Sequence, residues 1–135
     1  MGSNQEQLAQ IASEVETSVG PILVVECLKF HERAAYAPEH APVSEPLTGQ
    51  EAYLTFVSYV SGLMIGFGVT AAASESSHEP FVDDDGEPWD MRIAARYPNR
   101  AALLDMLSSP LYQAIRHHRT AAVAHSRLNI TEVHG

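Results

Sequence analysis

Cysteine is almost absent from the chain, since Cys27 is the single one among 135 residues. An internal disulfide and a zinc site built on several thiolates are therefore both excluded. Positive charge is also scarce: 8 Lys and Arg stand against 17 Asp and Glu, which gives a formal net charge of −9. An acidic surface repels phosphate backbones and anionic lipid headgroups, so we expect no nucleic-acid partner and no membrane partner.

The motifs of several common enzyme classes are also missing. The chain has no glycine-rich phosphate loop, no Walker motif and no nucleophile elbow. The run 83–86 (Asp-Asp-Asp-Gly) starts like a calcium loop but lacks the downstream glutamate, and we expect it to form a hairpin tip. His117 and His118 would point about 100° apart on a helix, and with His125 they make no recognised ligand set. We therefore expect no metal site and no cofactor.

Neither a targeting segment nor a membrane span is expected. The first twenty residues contain three glutamates and no apolar core, unlike a secretory signal peptide. The segment 52–74 has no charged residue, but it has a polar stripe in its first half and glycines at 62, 66 and 68. This pattern predicts a buried helix followed by a strand rather than a span. The expected location is the cytoplasm.

Hydrophobic periodicity predicts an α+β fold in which a single domain, 21–135, follows an N-terminal helical extension, 1–20. The extension has apolar residues at helical spacing within 5–18. The domain has the order βαββαβ, which is typical of a ferredoxin-like sandwich with helices on one face of a four-stranded antiparallel sheet. Its predicted elements are strands 22–30, 67–73, 89–97 and 126–133, a helix starting at a Thr48 cap, and helical segments starting near 99 and 109.

The same pattern predicts a second copy of the chain as a partner. Two helices cannot cover both faces of a four-stranded sheet. Apolar residues occur on both faces of the first and third predicted strands, so the uncovered face is expected to meet another sheet. In a chain of this length that sheet belongs to a second copy, which makes the expected assembly a homodimer.

Six short segments are weak motifs when each is taken alone. Their order and spacing along the chain are together a specific pattern. They are 24–30 (VVECLKF), 49–53 (GQEAY), 89–90 (WD), 96–101 (RYPNRA), 109–122 (SPLYQAIRHHRTAA) and 126–128 (SRL). In this arrangement the chain resembles the domain of unknown function 1330 family, over roughly 21–133. The resemblance implies the dimeric α/β-barrel superfamily and a pocket between sheet and helices. It implies no reaction, because that superfamily includes cofactor-free monooxygenases, isomerases, cyclases and larger haem proteins.

Glu26 is the sharpest anomaly among the candidate site residues. It is a carboxylate within an apolar strand, and the resemblance places asparagine at this position in many relatives. A buried carboxylate is costly unless it is paired, so a partner such as Arg92, Arg96 or Arg119 is expected. Two interpretations stay open: a catalytic general base, or an ion pair that joins strand to helix or subunit to subunit.

His118 is the second catalytic candidate. Steps of four, seven and eleven residues from Leu111 reach Ile115, His118 and Ala122, which predicts an inward stripe at 3.6 residues per turn. His118 would then face the sheet, either as a pocket acid or base or as a satisfied core side chain. His117 is expected on the solvent side.

The remaining candidates are substrate-binding residues. Tyr53, Tyr59 and Tyr112 are expected on core-facing helix surfaces, where they can pack or line a pocket for an aromatic ligand. Arg92 and Arg119 are candidate anion clamps or ion-pair partners. The sequence thus favours a cofactor-free enzyme acting on a hydrophobic, oxygenated metabolite, of isomerase, cyclase or monooxygenase type. The alternative is a non-catalytic metabolite-binding or structural dimeric module.

Overall fold

A computed structural model of the chain describes residues 20–40, 46–82 and 88–133, with only the backbone described over 71–82. The predicted N-terminal helix and the predicted hairpin tip lie outside the described residues. The elements are β1 (Ile22–Phe30), a 3-10 turn (Pro38–His40), α1 (Gly49–Gly66), β2 (Ala71–Val82), β3 (Pro88–Tyr97), α2 (Arg100–Ser108), α3 (Pro110–Ala122) and β4 (Val123–Glu132).

The four strands form one antiparallel sheet in the order β2-β3-β1-β4. β1 lies in the centre and pairs with β3 on one side and β4 on the other. This order confirms the predicted ferredoxin-like α+β fold. Among the helices of the described ranges, none is long and apolar enough to cross a membrane.

Local signals in the sequence account for where the helices begin. Thr48 accepts a hydrogen bond from the Glu51 N–H and the Glu51 carboxylate accepts one from the Thr48 N–H, which confirms the predicted capping box of α1. Asn99 caps α2 with a single hydrogen bond, which its side-chain oxygen accepts from the Ala102 N–H. Ser109 caps α3, and the proline that follows occupies the first helical position.

Two strand boundaries differ from the prediction, for identifiable reasons. The segment predicted to open β2 instead closes α1, because the Phe67 and Val69 N–H groups both donate to the Met64 carbonyl. Gly68, with φ of 88°, supplies the left-handed residue that this ending requires. β2 then continues to Val82, through polar residues that carry no apolar alternation. β4 starts directly at the end of α3, at Val123 rather than three residues later.

The core lies between the helices and one face of the sheet. The even-numbered residues of β1 point towards the helices, with Ile22 and Leu28 fully buried. The partners of these residues on β3 are Tyr97, Ala95, Ile93 and Met91, the face that sequence alternation predicts.

No described helix covers the opposite face of the sheet, which we call the open face. It carries the odd-numbered β1 residues Leu23, Val25 and Cys27, all half-buried. Arg127, whose register partner is Cys27, places its guanidinium 5.5 Å from the centre of the Trp89 ring.

The inward stripe of α3 lies one position away from the predicted one. Leu111, predicted to be inward, is 68% exposed, whereas Tyr112 and Arg119 are 8% and 7% exposed. Ala122 is buried as predicted. The prediction placed the more apolar stripe of α3 against the core. In the structure a buried carboxylate on β1 attracts a basic side chain of α3 instead. The helix is therefore rotated by about 100° from the predicted orientation.

Candidate functional site

A buried ion pair joins the centre of β1 to α3. The Arg119 Nη2 donates to the Glu26 Oε2 at 2.5 Å, and the two side chains are 8% and 17% exposed. The prediction that Glu26 has an arginine partner is therefore confirmed, and the partner is Arg119. Arg119 is thus an ion-pair partner, one of its two predicted roles, and its guanidinium is enclosed between helix and sheet.

Three tyrosines surround this pair: Tyr53 from α1, Tyr97 from β3 and Tyr112 from α3, all less than 10% exposed. We call these five residues the Glu26 cluster. Burial raises the pKa of all three phenols, and the negative charge of Glu26 raises each of them further. The tyrosines are therefore neutral hydrogen-bond donors across the physiological pH range.

The charge of Arg119 is secured by its partner. Burial on its own would lower the pKa of the guanidinium, but the charge of Glu26 and the hydrogen bond to it outweigh burial and raise the pKa. The cluster therefore combines a fixed cation, a carboxylate and neutral hydroxyls within one buried space.

The tyrosine hydroxyls differ in their partners. The Tyr97 hydroxyl points at the Met106 sulfur, 4.0 Å away, which is a weak acceptor. The Tyr53 and Tyr112 hydroxyls form no hydrogen bond with any other residue in the described part of the chain. Neither oxygen is among the fully buried polar atoms that lack a partner, so both are partly accessible and available to a ligand.

An aromatic wall continues from the cluster along the helix layer. The Phe30 and Tyr53 rings are 5.2 Å apart, Tyr53 and Phe56 are 5.6 Å apart, and Phe56 meets Tyr112 edge-on at 6.0 Å. These are normal distances for attractive aromatic pairs. The Asp90 carboxylate accepts the Phe30 N–H at 2.9 Å, where the β1–β4 register shifts, and so holds the end of this wall.

The other catalytic candidate, His118, lies elsewhere. It is half-buried on the flank of α3, with Nδ1 hydrogen-bonded to the Tyr36 hydroxyl at 2.7 Å and its ring stacked on that of Tyr59 at 5.6 Å. The expectation that it faces the sheet is wrong, because the inward position belongs to Arg119. Tyr59, predicted to turn towards the core, is 56% exposed.

His117 does not stand free in solvent as predicted. Its ring stacks on His40 at 4.3 Å and lies 4.1 Å from His118. We call His40, His117 and His118, together with Tyr36 and Tyr59, the imidazole cluster. In the ranges that the structure describes, no group of three or more potential ligand side chains is arranged to hold a metal ion.

The predicted site residues therefore separate into three places. Glu26, Tyr53, Tyr112 and Arg119 meet in the Glu26 cluster. His118 and Tyr59 meet in the imidazole cluster. Arg92 is exposed, and its register partner is Cys27, which places it on the open face, away from both clusters.

Sequence reasoning missed Tyr97, Tyr36 and His40. Strand alternation did place Tyr97 on the same face as the inward residues of β3, and the βαββαβ order puts that strand beside Glu26, so a signal existed. Tyr36 and His40 follow β1 in a proline-rich segment without periodicity. Nothing in that pattern indicates which helix they contact.

Comparison with known proteins supports the fold and leaves the activity open. No family model matches the chain, and no curated protein matches it. A solved protein of unknown function from Rhodopseudomonas palustris is similar over 99% of this chain and 96% of its own, with 27% identity and a TM-score of 0.78.

Two more distant structures share the fold alone. A dimeric ferredoxin-like protein of unknown function from Jannaschia has 13% identity and a TM-score of 0.56, over 84% of this chain and all of its own. The hydroxynitrile lyase from Passiflora edulis has 9% identity and a TM-score of 0.57, over 86% of this chain and 95% of its own. The fold of this chain is thus found in dimeric proteins and in at least one enzyme.

Proposed function

We propose that the protein is a cofactor-free isomerase that moves a proton on a small, hydrophobic carbonyl compound bound beside the Glu26 cluster. The observation that carries the proposal is a buried carboxylate and guanidinium next to two tyrosine hydroxyls without described partners. Groups with perturbed pKa values in an enclosed polar cluster are typical of functional sites.

Each part of the cluster has a role in such a reaction. The aromatic wall of Phe30, Tyr53 and Phe56 would hold the carbon skeleton of the ligand. The tyrosine hydroxyls would donate to its carbonyl oxygen, since their raised pKa values keep them protonated. Arg119 would stabilise the negative charge that develops on that oxygen.

The proton transfer itself would use Glu26. Its carboxylate would remove a proton from the carbon next to the carbonyl, and the resulting enolate would lie against Arg119. The Glu26 carboxyl exchanges its proton with solvent, and delivery of a proton from it to another carbon completes an isomerisation. This step needs no oxidant and no cofactor, because one proton is removed and one is returned.

The test is deuterium exchange into small ketones and enones in D2O, followed by proton NMR. Glu26→Gln preserves the shape of the side chain and is expected to slow exchange about 100-fold, the usual contribution of a positioned base. Asp105→Asn, which alters an exposed carboxylate on α2, is the matched control and should exchange at the rate of the original chain. Exchange at an unchanged rate in folded Glu26→Gln would exclude Glu26 as the base.

The pairing of Glu26 with Arg119 favours one alternative, a non-catalytic binding module in which the ion pair recognises a ligand. Saturable binding of a ketone with no exchange in any variant would support that alternative. Thermal stabilisation by the same compounds separates binding from turnover.

We further propose that the protein is a homodimer joined through the open face, as the apolar residues Leu23 and Val25 on it suggest. The resemblance to the domain of unknown function 1330 family supports this proposal, as does the dimeric state of the similarly folded Jannaschia protein. Light scattering at micromolar concentration should give twice the 14.7 kDa mass of one chain. Val25→Lys places a charge on this face and should give a folded monomer, whereas a monomeric original chain would contradict the proposal.

A further inference from the structure

The segment 31–40, which we call the strap, follows β1 and lies across the helix layer. The His31 and Ala35 N–H groups donate to the Ala122 and Ala121 carbonyls at 2.9 and 2.8 Å, so the strap satisfies the last carbonyls of α3. The Gly49 N–H donates to the His31 carbonyl at 3.2 Å, which ties the strap to the start of α1 as well.

The strap covers the end of the core next to the Glu26 cluster. Ala34 and Tyr36 of the strap pack against the same hydrophobic core as Tyr53. Phe30, the residue before the strap, is in ring contact with Tyr53. Movement of the strap away from the helices would therefore uncover this end of the helix–sheet interface.

Besides the core packing of Ala34 and Tyr36, side chains at the far end of the strap contact α3 through the rings of the imidazole cluster. Tyr36 is hydrogen-bonded to His118, and their rings meet edge-on at 5.6 Å. His40, in the 3-10 turn, is stacked on His117 at 4.3 Å. In the described chain no carboxylate is paired with any of the three imidazoles, so nothing there would neutralise a positive charge on them.

Protonation would place like charges on imidazole rings only 4.1 and 4.3 Å apart, which destabilises these contacts. Burial lowers the pKa of His117 and of His118, and the neighbouring imidazoles lower both further. The groups that face them are His40 and Tyr36 from the strap and Tyr59 from α1, with Arg116 and Arg119 next in sequence on α3. A backbone hydrogen bond at Ala114 favours protonation of His117, but burial and His40 outweigh it. Glu39, the acid next to His40, forms no ion pair with these imidazoles within the described ranges.

We propose that the imidazole cluster is a pH-sensitive latch that holds the strap closed at neutral pH and releases it in mild acid. Because the pKa values of His117 and His118 are lowered in the closed state, the closed strap is fully favoured above the ordinary pKa of about 6.5. That preference is lost as the pH falls below this value and through the lowered pKa values of these two residues. The claim that strap release controls ligand access to the Glu26 cluster rests on the proposed function. The latch itself does not depend on that function.

Hydrogen exchange of the full-length chain tests the latch without any ligand. The Ala35 amide reports strap closure because it donates to α3. After correction for the intrinsic pH dependence of exchange, its protection should fall between pH 7.5 and 5.5 by up to about tenfold for each histidine whose pKa is lowered, because pH 5.5 lies about one unit below the ordinary value. The double variant His117→Gln/His118→Gln, which removes both imidazoles with lowered pKa values, should lose this pH dependence.

His125→Gln is the matched control, since it removes one exposed imidazole on β4 and should titrate as the original chain does. Equal protection at the two pH values in the original chain overturns the latch, as does an unchanged pH dependence in the double variant. If protection of the strap depends on pH but the protein catalyses no proton exchange on ketones, the latch is supported and only the isomerase proposal is refuted.

Discussion

Replacement of Arg119 by methionine is expected to lower the free energy of unfolding by about 3–5 kcal/mol, because it leaves the Glu26 carboxylate buried without its cation. The side chains of the pair are only 8% and 17% exposed, so water cannot substitute for the guanidinium without reorganisation of the core. Urea denaturation at fixed protein concentration measures the change, since a dimer's stability depends on concentration.

The double variant Glu26→Leu/Arg119→Met shows whether the destabilisation comes from the lost attraction or from a buried carboxylate left without its cation. With both charges removed, apolar side chains of similar size can fill the space, and the loss should be much smaller than for Arg119→Met alone. Arg116→Met removes a less buried arginine from the same helix and serves as the control. A loss below about 1 kcal/mol for Arg119→Met, the range of surface pairs, would show that the pair does not stabilise the core.

Substitution of Gly49 by alanine is expected to cost about 3 kcal/mol. A Cβ at this position would overlap the carbonyl oxygen of His31 and approach the Ala122 carbonyl to 2.9 Å. Both obstacles are backbone atoms, so α1 or the strap would have to move. Thermal unfolding should show a clearly lowered midpoint, together with faster exchange of the Ala35 amide.

Gly62→Ala is the matched control within the same helix. A Cβ there meets no atom within 4 Å, so the alanine should stabilise α1 by about 1 kcal/mol through helix propensity. Opposite signs for the two substitutions would show that close approach, rather than flexibility, selects glycine at the start of α1. Equal effects at Gly49 and Gly62 would contradict this explanation.

Periodicity and turn signals predicted most of the fold because its elements bury one face each. The bounds of β1, the capping box at Thr48 and the Ser109-Pro110 start of α3 all follow from local chemistry. The β2 boundary was wrong because a strand of polar residues has no hydrophobic alternation to recognise.

The site was only partly predictable because its determinants are distant in the sequence. A carboxylate in an apolar strand predicts an arginine partner, and Arg119 is that partner. The predicted orientation of α3 was wrong because hydrophobicity favours Leu111 over Arg119 as an inward residue. The charge of Glu26 instead makes Arg119 the inward residue. The division between the two clusters depends on how the strap crosses α3, which no local pattern encodes.

The central position of β1 has a consequence for the order in which the protein can fold. β1 comes before its two sheet neighbours in the chain, and Glu26 is 93 residues away from Arg119. Contacts of such high sequence separation close large loops, which slows folding. During synthesis β1 stays without either neighbour until β3 emerges, and its acid meets its base only when α3 has left the ribosome.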